Sequence, residues 1–170
     1  MLNAASAASA PAMSDFGVAL RRLWPHGNSR IAGLIEGMAI AAPAIFDKHG
    51  LTTPLLVAHV MSQVRHECGA GTAVIENLDY SAARMMAVWP SRFPTTASAA
   101  PYAHNPRALA NKVYNGRMGN RRGSDDGWNF RGRGAVQTTG RDGYARLAAA
   151  TGLDLLARPD LVIDPAHFLE

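Results

Sequence analysis

The sequence Gly69-Ala70-Gly71 follows directly on a helical run of apolar residues and fixes where that helix has to stop. Thr53 is an N-cap residue with Pro54 at the first helical position, so the helix starts there. Leu56, Val57, Val60, Met61 and Val64 form an apolar stripe, and the row 56, 60, 64, 67 ends on Glu67. The glycines break the helix there, and the Gly69-Ala70-Gly71 break lets the chain turn back. The chain is therefore bound to set a carboxylate at a helix end, bend, and continue into a second acidic segment, Ile75-Glu76-Asn77-Leu78-Asp79-Tyr80-Ser81.

The same punctuation divides the rest of the chain. Phe16 to Leu23 reads as a short helix stopped by Trp24-Pro25-His26-Gly27. Asn28 or Ser29 caps a second, which carries Ile31, Leu34, Ile35, Met38, Ala42, Ile45 and Phe46 at helical spacing and ends at Gly50. Ser81 caps a helix through Val88, closed by Pro90. Asn105-Pro106 opens another through about Val113, and a last one runs from Asp142 to Ala150 before Gly152. Between these, Asn115 to Gly140 is dense in Gly, Arg, Asn and Asp, with Trp128 and Phe130 inside. A tract this long without apolar periodicity is either disordered or a functional surface. The interleaved aromatics and the alternation around Ala135-Val136-Gln137-Thr138 point to an ordered loop with a small β-hairpin. Asp164-Pro165 reads as a helix start that Glu170 leaves unfinished, which suggests a domain that originally continued. The expectation is a disordered leader over residues 1–13 and a mainly α domain over 14–170.

A chain of 170 residues is long enough for one domain with a sizeable core. Its few aromatics and abundant alanine suit small helices better than a β-sandwich. A formal +4 favours polyanionic surroundings: nucleic acid, anionic lipid or bacterial cell wall. Cys68 stands alone, so an intrachain disulfide is excluded. No apolar run approaches the roughly 18 residues of a transmembrane helix. Met1 to Ala12 has neither a positive n-region nor an apolar h-region, so the expected product is made in the cytoplasm without a recognisable export signal.

Two carboxyl groups in unlike environments are the minimum equipment for acid/base cleavage of a glycosidic bond. Glu67, at the end of an apolar stripe, is the candidate general acid, because low-dielectric surroundings keep a carboxyl protonated. Its bland alternative is a helix-end glutamate paired with Arg65. Glu76 is the candidate base, or else a solvated loop glutamate, with Asp79 a lesser competitor. Nine continuous helical residues would separate the carboxyls by about 13 Å. The glycine break makes about 6.5–9.5 Å reachable, the inverting geometry with room for water. His66-Glu67 resembles the start of a zinc-protease motif, but Ala70 stands where the second histidine belongs. His59 and His66 suit core or surface better than metal. Cys68 with His66, His59 or His104 could make a thiol hydrolase, although a lone cysteine is more often packing. Arg131-Gly132-Arg133-Gly134 lacks the ending of a phosphate-binding loop, and the Arg/Gly/aromatic mixture leaves single-stranded nucleic acid a minor alternative.

Taken together, several ordered blocks between Leu55 and Leu161 resemble glycoside hydrolase family 19: plant-type chitinases and, more closely, compact bacterial and phage endolysins. They are His66-Glu67 with its trailing glycines, Glu76 through Ala82, Trp89-Pro90-Ser91-Arg92-Phe93, Asn111 through Asn120, and Gly127 through Gly140. The resemblance implies a mainly α, lysozyme-like two-lobed helical domain with a small β-hairpin or loop region. It implies inverting hydrolysis of β-1,4 bonds next to N-acetylglucosamine, with no cofactor and no metal. The partner would be a polysaccharide, with no nucleic acid and no membrane insertion, and the chain a monomer. By position, Glu67 resembles the family's general acid, Glu76 its base, and Thr139 the residue that holds the attacking water. Gln137, Tyr144, Trp128, Tyr80 and Arg133 fall at substrate-binding positions. Gly143 stands where relatives carry an asparagine, and Cys68 replaces a small or hydroxyl residue beside the acid. The relatives' further helices and a cleft arginine lie beyond Glu170. The leading expectation is an endolysin-like muramidase or glucosaminidase acting on peptidoglycan at the cell wall, ahead of a chitinase on chitin oligomers. An inactive saccharide-binding domain is the third reading.

Overall fold

Helix α1 (Met13–Leu23) and the residue after it carry Phe16, Leu20 and Trp24 at helical spacing, and all three are buried. The computed structural model describes residues 13–170. The expected leader lies outside them except for Met13, which opens α1. The described residues are mainly helical, and their only β-pairings are two isolated bridges. They divide into two compact units. One holds residues 13–74 with Gly134–Gln137 and Asp160–Glu170, and the other holds Ile75–Arg133 with Thr138–Pro159.

In the first unit, α1 packs on α2 (Leu34–Lys48), whose Leu34, Ile35, Met38, Ala42, Ile45 and Phe46 are buried. Phe16 meets Phe46 edge-on at 5.2 Å. The second helix begins at Leu34, later than the sequence suggests. Gly33 sits in the left-handed region at φ 72°, so the chain cannot be helical from residue 29. Asn28 still serves that helix end from outside: its Oδ1 accepts from the Ile35 N–H at 2.8 Å, and its Nδ2 donates to Glu36 at 2.7 Å. Helix α3 (Pro54–Glu67) starts as expected, with Thr53 accepting from the Leu56 N–H. Its buried row is Val57 and Met61, with Val64 partly covered. Leu55, Leu56 and Val60 are 67%, 44% and 39% exposed, so the row 56, 60, 64, 67 is not the one that packs. Asp164-Pro165 opens a series of turns instead of a helix. The Asp164 carboxylate accepts from the Ala166 N–H at 2.8 Å, an Asx-type turn that competes with helix formation.

The second unit gathers α4 (Ala82–Val88), α5 (Thr96–Ala99), α6 (Pro106–Tyr114), α7 (Asp126–Asn129) and α8 (Arg141–Thr151). Its core is Leu78, Met85, Phe93, Ala99, Leu109, Ala110 and Val113. Edge-to-face contacts run from Tyr80 to Trp89, Phe93 and Tyr102 along one side. Ser81, Asn105 and Gly152 cap where the sequence places them. The short α5 escaped the sequence reading, although Thr95 and Ser98 form a reciprocal capping box. The expected hairpin is reduced to Arg133 pairing with Thr138 and with Ile75. Alternation around Ala135 stops there because the ladder does not extend past a single residue pair.

Gly37 in α2 faces Pro165, where a Cβ would lie 2.3 Å from the proline Cβ and 2.6 Å from its carbonyl carbon. In a free helix Gly→Ala gains about 1 kcal/mol. Here the overlap includes backbone and costs more, so Gly37→Ala should destabilise the first unit by about 1–3 kcal/mol, read by urea unfolding. A rise in stability would mean that the 165 segment does not hold this position.

Candidate active-site residues

Glu67 is the last residue of α3 and is exposed. Its Oε1 accepts from Gln63 Nε2 at 2.8 Å, one turn back on the same face. The low-dielectric setting expected from the apolar row is absent, because that row faces outward. The bend beyond the helix forms as anticipated: Gly69, Ala70 and Gly71 all take left-handed φ, at 56°, 53° and 85°. Gly71 also has to be glycine for space, since a Cβ would approach the Gly27 carbonyl oxygen to 2.8 Å. Cys68 is buried, and burial pushes its thiol pKa up, against neighbouring backbone N–H groups that favour the thiolate. A thiol held protonated is a poor nucleophile, which removes the main support for a thiol hydrolase. His59 and His66 are both exposed, and no group of three or more His, Cys, Asp or Glu among the described residues could hold a metal ion.

Glu76 is half-buried and anchored twice to one residue. Its N–H donates to the Gly132 carbonyl at 2.9 Å, and its Oε2 accepts from the Gly132 N–H at 3.2 Å. Oε1 accepts from the Tyr114 hydroxyl at 2.5 Å. Burial first, then the bond to Glu76 and its charge, raise the Tyr114 phenol well above its ordinary pKa. Asp79 is exposed and pairs with His104 at 2.8 Å. Its carboxylate is thus committed to an imidazole, while that of Glu76 is held by neutral donors.

The remaining expected site residues divide. Tyr144 is 0% exposed, its ring against Phe130 and its hydroxyl donating to the Arg131 carbonyl at 3.0 Å. Arg133 is 1% exposed and donates to the Asn129 carbonyl at 2.6 Å. Both therefore shape the loop from inside and do not present a surface to substrate. Gln137, at φ 50°, spends its amide on the Ala73 and Gly134 carbonyls at 2.9 and 3.1 Å. Thr139 is half-buried and precedes Gly140, whose N–H donates to the Phe130 carbonyl at 2.7 Å. Trp128 and Tyr80 are half-buried against the second core. The Arg131 guanidinium covers one face of the Trp128 ring at 3.6 Å.

No family model matches the chain. Against a glycosyl hydrolase family 19 domain-containing protein of Haemophilus influenzae it is 32% identical over 139 residues, 81% of this chain. The chain belongs to glycosyl hydrolase family 19. It spans 66% of that relative's length. No helix among the described residues of this family 19 chain is long and apolar enough to cross a membrane.

Sequence reasoning missed the polar framework that orders the glycine-rich tract of the family 19 chain. Asn111 accepts from the Trp128 N–H and donates to Asp125, and Asn115 accepts from the Gly127 N–H and donates to the Ser124 carbonyl. Asn120 links the Tyr114 carbonyl to the Arg141 N–H. Asp126, buried, takes a bidentate pair and a backbone N–H from Arg121, which hold its pKa down. Arg107, then Asn111, hold Asp125 down to about 2. The signal was present in the asparagine spacing, but nothing in one sequence says which carbonyl each amide meets.

The raised Tyr114 pKa has a definite sign. The protonated phenol is favoured by folding, so its contribution is complete below the unfolded value of about 10 and is lost as pH climbs through the folded value. Unfolding free energy should therefore fall above about pH 10, and Tyr114→Phe should flatten that slope in urea titrations across the alkaline range. In Glu76→Gln, with the carboxylate charge gone, phenolate absorbance at Tyr114 should develop at lower pH than in the parent. An unchanged titration would deny the contact.

Proposed function

We propose that this chain hydrolyses β-1,4 bonds next to N-acetylglucosamine in peptidoglycan, by single displacement with inversion at the anomeric carbon. Glu67 serves as general acid to the leaving oxygen, Glu76 as general base to the attacking water, and Thr139 helps to hold that water. The observation that carries this reading is the setting of Glu76: both carboxylate oxygens are fixed by donors, in a family whose chemistry needs a directed base. Glu67 is a solvent-facing carboxyl at a helix end, so its assignment as the acid rests on its position in the family resemblance and not on its surroundings. The bulk charge supports an anionic glycan over neutral chitin. The second unit carries twelve Lys and Arg against six Asp and Glu, a formal +6. Peptidoglycan carries carboxylates on its peptide stems, and chitin carries none. In this reading the protein acts at the bacterial wall.

Glu67→Gln should lower the turnover of purified peptidoglycan by about a thousandfold, since an alkoxide is a poor leaving group without its proton. Glu76→Gln should do the same while oligosaccharide binding, measured by calorimetry, stays intact. Lysis unaffected by either change would sink the assignment, and binding without turnover in the parent would leave a saccharide-binding domain. Turbidity loss of permeabilised bacteria should exceed reducing-end release from colloidal chitin. The reverse order would make chitin the substrate.

A further inference from the structure

The base assignment leaves open what aims Glu76. A glutamate has three rotatable side-chain bonds, and on a loop it samples many orientations. Here Ile75 pairs with Arg133, the Glu76 N–H is bonded to Gly132, and the carboxylate returns to the same residue through Oε2. That leaves Oε1, and Tyr114 meets it from the last position of α6. The Tyr114 carbonyl is itself held by Asn120 at 3.1 Å, so the phenol comes from a fixed base.

We propose that Tyr114 is a positioning residue for Glu76: with the Gly132 N–H, its hydroxyl locks the carboxylate in the one orientation from which it takes a proton from the attacking water. The inference rests on Glu76 acting as the base. A carboxylate has about four lone-pair sites, and two are taken by Tyr114 and Gly132. The others stay open to water on a group that can no longer rotate. In the step itself the water oxygen bonds to the anomeric carbon and its proton passes to Glu76. The bond to the leaving oxygen breaks, and that oxygen receives the proton of Glu67. Tyr114 transfers nothing. Its phenol remains a donor throughout the working range because burial and the adjacent carboxylate oppose its ionisation. Tyr80 and Arg117 also act on that phenol, Tyr80 against ionisation and Arg117 in its favour.

The test is Tyr114→Phe, which keeps the ring and removes the donor. Turnover should fall roughly a hundredfold, the cost of a mis-aimed catalytic group, with KM within about twofold and an unchanged melting transition. In the Glu76→Gln background the same change should cost nothing further, because the group it aims is already gone. A further loss of similar size on top of Glu76→Gln would make Tyr114 merely structural and overturn the proposal. So would undiminished turnover in Tyr114→Phe while Glu76→Gln is dead. Activity surviving Glu76→Gln would instead overturn the base assignment beneath it. If the phenylalanine variant does not fold, a polyfluorinated tyrosine at 114 keeps the shape and has a far more acidic phenol. Turnover should then fall at an alkaline limb that tracks phenol ionisation, and a flat profile across that ionisation would refute the role.

Discussion

Gly132 meets Glu76 with both its carbonyl and its N–H, accepting from the main chain and donating to the side chain, and the second unit's loops are arranged around that meeting. The two residues are 56 positions apart. Closing a loop of that length is entropically expensive, so it needs support along the way. The support comes in short steps. The amides of Asn111, Asn115 and Asn120 fasten α7 and its flanks to α6, and Gly127 lets α7 approach Ala110 so closely that a Cβ would sit 2.6 Å from its carbonyl oxygen. Arg133 then ties the end of α7 to Ile75 and Thr138, through its side chain on Asn129 and its two isolated bridges.

This framework explains how a tract with almost no apolar periodicity folds. Its backbone donors and acceptors cannot all be met by helix or sheet, and buried ones left unmet would each cost on the order of 1–3 kcal/mol. Asn and Asp side chains supply the missing partners, and Arg121 neutralises the buried Asp126 while also giving it a backbone N–H. Tyr144 does the same for the Arg131 carbonyl from inside. Residue types that a sugar site would also use are here consumed by the protein's own main chain.

Helix ends were legible because a cap is a local event: Thr53, Ser81, Asn105 and Gly152 act within four residues of their own position. The glycine bend after Glu67 was legible for the same reason. Which face of α3 is buried was not. Leu56 and Val60 are as apolar as Val57 and Met61, and only the packing of distant helices decides between the rows. Glu67 was accordingly placed at the right helix end but in the wrong surroundings. Tyr114 lies within a resembling block, but nothing near it in the sequence points to its role, because its partner is 38 residues away. The burial of Tyr144 and Arg133 has the same origin: aromatic and guanidinium groups bind sugars or carbonyls equally well, and only geometry says which.

The disposition of charge in the second unit bears on how the proposed substrate is met. Asp125 and Asp126 are held by Arg107, Arg121 and Arg141 within the unit. Among the described residues the exposed Arg84, Lys112, Arg117, Arg122, Arg146 and Arg158 form no ion pair. At an exposed site two unit charges 4 Å apart interact by only about 1 kcal/mol in water, and physiological salt screens them beyond about 8 Å. Such charges do not form a tight binding site. On the proposed reading they would raise the encounter rate with an anionic polymer and hold the protein near it between turnovers. Affinity and chemistry are then left to the few groups whose orientation the fold fixes, and among these Glu76 is the one held at the main chain and at both side-chain oxygens.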